Sequence, residues 1–429
     1  MAGTEETENN ICMLYEAANK TPVYKAYQKL CKFRGNFDID YVDFEKKYYR
    51  FYHGYSELKS AESSSSKTFS KLPIDIIETV IDDLELLDKL SLRKVSKELR
   101  KTVDNHKCEN SSVLIHFEAN VSQIELPMDD INYSDENGKS IYEVVTRSFD
   151  SDEYEKIKCK EKPRVIEGEH WELMIRDLST FLGNPNWKFF GVLWEFDVDV
   201  EEDKLTPPDI RQKQIQLIEN MLKSTPLEVK VLRIQSTDHN AVMAILPNVI
   251  PGSLEFLGLN SKNNGAKLEE VVELEQWKKL KRSYVETVPD SLDIEHFFHL
   301  ERFKIEQIRI TEDRLVKIRD ILFKSTNFSR CTLRSKIEEQ VNVNRNGEAI
   351  FTLRELIVAV NRVMGEHPEY NADTRCYSIP DSDEHFSVYP CQSRDILKLK
   401  IQRQKNGRVV SEDPFNDPIE ELLRGRFGS

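Results

Sequence analysis

His296 and His299 lie three residues apart in a helical pattern, a spacing that sets two imidazoles on one helix face and supplies half of a metal site. No HExxH motif and no third ligand accompany them, so a core or surface role is the reading the sequence supports. Acid pairs at Asp129-Asp130, Glu201-Glu202-Asp203 and Glu269-Glu270 could share acid–base work only if their carboxylates converged. Adjacent side chains along a helix or loop diverge, which makes them a solvated surface. Cys31 has only His53 nearby in sequence as a candidate base. There is no GxxxxGK phosphate loop and no GxSxG elbow. These residues point to a non-catalytic protein with no metal and no cofactor.

The seven cysteines, at 12, 31, 108, 159, 331, 376 and 391, are scattered and never spaced as CxxC. That pattern fits a reducing compartment and suggests neither a disulfide framework nor a zinc site. The start, MAGTEETENN, is polar and acidic, unlike a signal peptide, and no apolar run approaches the roughly 20 residues of a membrane helix. A cytoplasmic or nuclear location follows as the expectation, with no membrane partner. A net charge of -14 and a pI near 5.3 disfavour nucleic acid as a general partner, because phosphate neutralisation needs clustered Lys and Arg. At 429 residues the chain is too long for one ordinary core.

The stretch that organises the chain is LPIDIIETVIDDLELLDKLSLRKVSKELR, residues 72 to 100. Leu72, Ile76, Ile77, Val80, Ile81 and Leu84, then Leu87 and Leu90, then Leu92, Val95 and Leu99 recur at gaps of three and four. Such gaps keep an apolar stripe on one side of successive helical turns, and Pro73 can open the first helix. Two or three short helices carrying this much apolar surface need something else to cover part of it, so the segment reads as a docking surface. It resembles the F-box: Leu72-Pro73, Asp75, Ile76-Ile77, Val80-Ile81 and Leu84, then Asp88-x-Leu90-x-Leu92-Arg93-x-Val95-Ser96-x-x-Leu99-Arg100. Leu99 stands near where many members of that family carry Trp. The resemblance implies binding to the Skp adaptor, and through it to cullin, in a ubiquitin ligase, with Leu72, Pro73, Ile76, Ile81, Leu84 and Leu90 as the anchor.

Upstream, residues 1–10 are expected to be disordered. Residues 11–58 form a small helical module: Val23, Tyr24, Tyr27 and Leu30 share one face, and Phe44, Tyr48, Phe51 and Tyr52 another. The module resembles the N-terminal helix-turn-helix of mariner-type transposases through Leu14-Tyr15-Glu16, Ala26-Tyr27-x-x-Leu30-Cys31, Gly35, Ile39-Asp40-Tyr41 and Arg50-Phe51-x-x-Gly54. In transposases such a module helps bind DNA. Here Asp38, Asp40, Asp43 and Glu45 open the second helix with carboxylates, which sit poorly against phosphates. Residues 59–70, with Ser63 to Ser66 in a row, read as a flexible linker to an F-box over 71–110.

Beyond the F-box, SSVLIHFEANVSQIEL alternates as strands do, a helix is expected over 141–149, and a loop over 151–168. Residues 171–182 make an amphipathic helix before the strand FFGVLWEFDV. An internal repeat follows: VKVLRIQS, SLEFLGLNS, KKLKRSYVET, LERFKIEQ and FSRCTLRS, at spacings of roughly 21 to 28 residues, with helical patterns between them. A strand and a helix cannot bury both apolar faces alone, so the units are expected to stack as a leucine-rich-repeat-like solenoid. Its inward positions are Val229, Leu232 and Ile234; Leu254, Leu257 and Leu259; Leu300, Phe303 and Ile305; and Phe328, Cys331 and Leu333. The KKLKRSYVET unit departs with Ser283 where Leu is expected.

GSLEFLGL, LEQWKKLKRSYVE, EHFFHLERFKI and LFKSTNFSRCTL resemble the FTH domain that follows the F-box in a nematode-type family, over roughly residues 113 to 340. The expected fold is thus α+β or α/β and multidomain: helical module, helical F-box, then an FTH or repeat domain over 111–410. Residues beyond about 350 add a helix and two strands, RCYSIP and ILKLKIQRQ, and 411–429 form a flexible tail.

Side chains next to the inward ones point to the opposite face of each strand. That face offers Arg233 and Gln235, Gly258 and Asn260, Tyr284 and Glu286, Lys304 and Glu306, and Thr332 and Arg334 as a site for a substrate protein. Three functional classes remain open: a substrate receptor of a Skp-cullin-F-box ligase, a DNA-binding protein of transposase ancestry, and an F-box scaffold with no ligase role.

Overall fold

Helix α1 (Ala2–Ala18) occupies the start of the chain in the computed structural model. The expectation of disorder over residues 1–10 is thereby corrected. Asn10, Met13 and Ala17 are buried at helical spacing. The structure describes residues 2–34, 41–52, 72–127, 129–136, 138–150, 153–158, 163–198, 200–201, 204–236, 238–260, 267–322, 324–325, 327–336, 352–365, 375–379, 382–405 and 408–409. The Ser-rich linker, His53, Glu202, Asp203 and the tail from 411 lie outside them.

Helices α2 (Val23–Arg34) and α3 (Tyr41–Tyr52) complete a first unit, Met1–Leu72, whose core is Met13, Ala17, Ala26, Leu30, Phe44 and Tyr48. The Tyr48 hydroxyl donates to the Thr21 carbonyl, and Glu16 pairs with Lys29 at 2.8 Å. Of the two expected faces, Leu30, Phe44 and Tyr48 turn inward, while Tyr24 and Tyr52 stay exposed.

The second unit, Pro73–Ser429, begins with three helices. Pro73 caps α4 (Ile74–Asp83), and Glu85 precedes α5 (Leu86–Val95). Ser96 breaks the path in an extended conformation, and its hydroxyl accepts the Leu99 N–H at 3.1 Å to start α6 (Lys97–Asn105). One residue pair further on, β1 (Cys108–Phe117) has already joined the sheet. The helices and the sheet share one core, in which Ile77, Ile81, Leu99 and Val103 cluster with Val113, Trp187 and Phe189. The three helices are therefore an integral part of the second unit.

After β1 come β2 (Val121–Glu125), β3 (Asp129–Asp135), β4 (Ser140–Asp150), β5 (Glu153–Lys158) and β6 (Arg164–Ile166), all antiparallel. The helix expected over 141–149 is a strand, and the expected loop over 151–168 contains two more. Ile141, Val144, Val145 and Phe149 satisfy a helical spacing, but a segment this rich in β-branched and aromatic residues is stable once β3 offers it a ladder.

Helix α7 (His170–Phe181) leads to β7 (Trp187–Phe196), then α8 (Pro208–Ser224), β8 (Val229–Gln235), α9 (His239–Ile245) and β9 (Phe256–Asn260). Short helices α10 (Leu268–Val271) and α11 (Glu275–Lys278) precede β10 (Arg282–Thr287), and a 3-10 turn precedes β11 (Arg302–Gln307). Helix α12 (Glu312–Leu322) and β12 (Arg330–Lys336) follow. Strands β7 to β12 are parallel neighbours in unbroken chain order, and β1 lies parallel beside β7. All the positions expected to face inward, from Val229 to Leu333, are buried, and Ser283 is buried at the Leu position of its unit.

Thr352 and Glu355 form a capping box that starts α13 (Leu353–Met364). Then β13 (Arg375–Ser378), β14 (Glu384–Ser393), β15 (Ile396–Lys405) and β16 (Arg408–Val409) extend the sheet, β15 pairing antiparallel with β12. Strand β14 was not expected, because Pro390 interrupts its pattern. Pro390 stands opposite Leu399 of β15.

Buried polar groups brace the end of β7. Asp197, at φ +48°, lies 2.6 Å from Arg211 and accepts from both the N–H and the hydroxyl of Thr206. Arg211 also reaches Gln214 at 2.7 Å and stacks 4.9 Å from the Phe196 ring centroid. Burial lowers the Arg211 pKa, while Asp197 pulls it back up.

Candidate functional site

Helix α4 has two apolar sides. Ile77 and Ile81 turn into the core, whereas Ile74 and Ile76 are 51% and 49% exposed. Leu72, the last residue of the first unit, is 40% exposed, Pro73 is exposed, and Leu84 and Leu90 are half-buried. Ile81 leaves the expected anchor set: at 0% exposure its side chain is core, because the three-to-four periodicity puts residues 77 and 81 on the same inward stripe. Ile74, which the spacing argument passed over, belongs to the outward side. It follows Pro73 directly, so the proline at the cap marks where that side begins. Val95, at the end of α5, is 69% exposed.

Polar contacts hold these helices in place. Arg93 Nε meets Asp104 Oδ1 at 2.5 Å, and His106 Nε2 meets Asp82 Oδ1 at 2.7 Å. Toward the sheet, the side-chain amides of Asn184 and Asn186 both donate to the Asp104 carbonyl, at 3.2 and 2.9 Å. The Asp104 carbonyl, one of the orphan carbonyls at the C-terminal end of α6, is thus satisfied by the loop before β7.

A second surface is the sheet face opposite the inward residues. Register places Arg233, Gly258, Tyr284, Lys304 and Thr332 opposite one another on β8 to β12. Gln235 and Asn260 are likewise opposite one another. Two residues beyond Tyr284, Lys304 and Thr332 along their strands stand Glu286, Glu306 and Arg334, on the same face. These side chains are half-buried, apart from Gly258 and Thr332, which are buried. Glu306 sits 2.5 Å from Lys304 and 2.7 Å from Arg334, and the Lys304 ammonium lies 5.2 Å from the Tyr284 ring centroid. A Cβ on Gly258 would come within 3.1 Å of Arg233 Cγ, so glycine there gives the Arg233 stem room to lie across β9. Burial pushes the Tyr284 phenol up, with Glu306 and Glu286 adding to it, so the ring stays neutral. Burial lowers the Arg233 pKa against the pull of Glu195, Tyr284 and Glu286, and the guanidinium remains charged.

The same face carries residues that the sequence reading missed. Arg282, Arg302 and Arg330 stand opposite one another, and β15 adds Gln402, Lys400 and Lys398 against Arg330, Thr332 and Arg334. The three arginines were within reach of the period-two rule. The lysines were not, since nothing local says that β15 pairs with β12.

The chemically suggestive residues separate. His299 Nε2 is 2.8 Å from the Trp277 carbonyl, and the His296 carbonyl accepts the Trp277 indole N–H at 3.0 Å. Asp130 is buried and its neighbour Asp129 half-buried on β3, where successive side chains point to opposite faces. Glu269 accepts the Ser291 hydroxyl at 2.5 Å, while Glu270 lies 3.6 Å from His239. Among the described residues, no helix is long and apolar enough to cross a membrane.

Two family models match the chain: the F-box domain over residues 69–110 and the FTH domain over 212–346. The FTH match is narrower than the roughly 113 to 340 read from the sequence. The chain is also similar to F-box A protein 224 of Caenorhabditis elegans, 27% identical over 337 residues, covering 78% of this chain and 84% of that protein. These similarities support the nematode F-box and FTH assignment. Neither model reaches residues 11–58, and the transposase-type resemblance stays a reading of the sequence.

Proposed function

We propose that this chain is the substrate-recognition subunit of a Skp-cullin-F-box ubiquitin ligase. The observation that carries the reading is the two-sidedness of α4: Ile77 and Ile81 bind it to the core while Pro73, Ile74 and Ile76 stay outward, in a segment that matches the F-box model. Leu72, Pro73, Ile74 and Ile76, with half-buried Leu84 and Leu90, form the docking set for a Skp adaptor. The polar sheet face, centred on Tyr284, holds the substrate protein, with Arg233, Gln235, Asn260, Glu286, Lys304, Glu306 and Arg334 around it. The parallel strands in chain order support a leucine-rich-repeat-like platform as the architecture behind that face.

The chain itself performs no bond chemistry in this scheme. Holding a substrate next to the ligase's ubiquitin-charged partner raises the local concentration of its lysines, and that tethering supplies the acceleration. Because the F-box helices and the sheet share one core, the adaptor and the substrate are held at a fixed separation on this chain.

Affinity purification of the tagged chain under proteasome block, followed by mass spectrometry, tests the reading. It expects the adaptor and cullin together with ubiquitinated clients. Adaptor without clients would favour a scaffold with no ligase role, and salt-dependent DNA binding by residues 1–60 would favour the transposase-derived alternative.

A further inference from the structure

The outward face of β10, β11, β12 and β15 presents three in-register rows. The first is Arg282, Arg302, Arg330 and Gln402, the second Tyr284, Lys304, Thr332 and Lys400, and the third Glu286, Glu306, Arg334 and Lys398. Of these twelve positions, seven are Lys or Arg and two are Glu, in a chain whose net charge is -14. Like charges directly opposite on neighbouring strands, about 4.8 Å apart, destabilise a sheet. Glu255, 3.9 Å from Arg282, offsets part of this at one end of the first row, and Glu306 is shared between Lys304 and Arg334. Among these twelve positions cations outnumber carboxylates, and a positive face on a low-dielectric body raises the local concentration of anions.

We propose that this face binds an extended, acidic segment of the substrate protein. The inference rests on the reading of the sheet face as the substrate-holding surface and names the chemistry of what is held there. Successive rows follow every second residue of each strand, about 6.8 Å, which is also the distance between alternate side chains of an extended peptide. Carboxylates at alternate positions of such a peptide fall over the first two rows, where the planar guanidinium of Arg302 can take both oxygens of one carboxylate. The third row tells a peptide from a nucleic acid. Glu286 and Glu306 stand there beside Arg334 and Lys398, so the row carries no net charge and suits a neutral or hydroxyl group of a peptide better than a further phosphate of a continuous backbone.

The full chain, co-purified with its adaptor, is titrated against a labelled Glu-Ser repeat peptide of about twelve residues, with a Lys-Ser peptide and oligothymidylate of equal length alongside. The expected result is binding of the Glu-Ser peptide alone, weakened by added salt. Arg302→Glu with Arg330→Glu should weaken it at least about tenfold, and Arg302→Gln with Arg330→Gln less, while the adaptor stays bound as the sign of intact folding. Absence of Glu-Ser binding by the unaltered chain, unchanged binding by both variants, or tighter binding of oligothymidylate overturns the proposal. The two readings fail separately. Clients lost on Tyr284→Ala with Arg334→Glu, in a chain that ignores the Glu-Ser peptide, keep the receptor face and overturn its acidic preference. Clients indifferent to those changes overturn the receptor face itself.

Discussion

The Trp187 indole N–H, at the start of β7, donates to the Val103 carbonyl in α6 at 3.3 Å. Both residues are buried, and the bond joins the F-box helices to the sheet through one shared core. Excising residues 73–107 should therefore leave an unfolded or insoluble remainder, because the sheet loses the cover of Ile77, Ile81, Leu99 and Val103. Circular dichroism and a cooperative melt of residues 108–429 would check this, and a native-like melt would show that the two parts are separable. Trp187→Phe, which keeps a ring but strands the Val103 carbonyl, should cost about 1 to 3 kcal/mol in urea unfolding.

The Asp197–Arg211 pair is buried on both sides, with side chains 6% and 8% exposed. Arg211→Met should destabilise the chain by about 3 to 5 kcal/mol, since it leaves Asp197 charged and uncompensated. Adding Asp197→Asn should recover part of the loss, asparagine being tolerant of the positive φ at that position. Chemical denaturation of the single and double variants measures it.

Two histidines give opposite pH dependences. Burial opposes charge on His116, but hydrogen bonds to Glu195 at 3.4 Å and Glu118 at 2.8 Å outweigh it and raise its pKa above 6.5. Its contribution is complete below 6.5, the unfolded value, and disappears as pH rises through the raised folded value. His170 is driven below 6.5 by burial, and its ring accepts from the Ser122 hydroxyl while donating to the Ala119 carbonyl, as a neutral imidazole does. Its contribution is present above 6.5 and is lost as pH falls. The stability advantage of the unaltered chain over His116→Gln should shrink with rising pH, and that over His170→Gln should shrink with falling pH. Denaturation midpoints across that range read both slopes.

Deleting residues 1–60 should leave adaptor binding intact, because α1 to α3 close their own core around Leu30, Phe44 and Tyr48. Loss of soluble protein on deletion would mean that this unit is needed by the rest of the chain.

Much of the fold was legible because apolar spacing announces helices and strands wherever one face is buried. The LxxLxL positions from Leu232 to Leu333 and the helix expected over 171–182, observed as His170–Phe181, were read on that basis. What escaped was non-local. Residues 141–149 carry a spacing that suits a helix equally well, and only pairing with β3 makes them a strand. Strand β14 was hidden by Pro390, and only its pairing with β15 makes the segment a strand. That Ile81 is buried and Ile74 exposed was not legible, because a motif marks which residues recur and says little about which side faces inward. Arg282, Arg302 and Arg330 share that face by the period-two rule, two residues before Tyr284, Lys304 and Thr332.

Co-purification of the adaptor with surface variants of α4 tests the central claim most directly. Leu72→Ala with Pro73→Ala should cost on the order of 2 to 4 kcal/mol of adaptor binding, roughly a thirty- to thousandfold loss, as removal of central interface anchors does. Ile76→Asp, which is outward and leaves the core untouched, should likewise abolish capture without altering the thermal melt. Full adaptor capture by both variants, each folded, would contradict the claim that this chain docks a ligase through its first F-box helix.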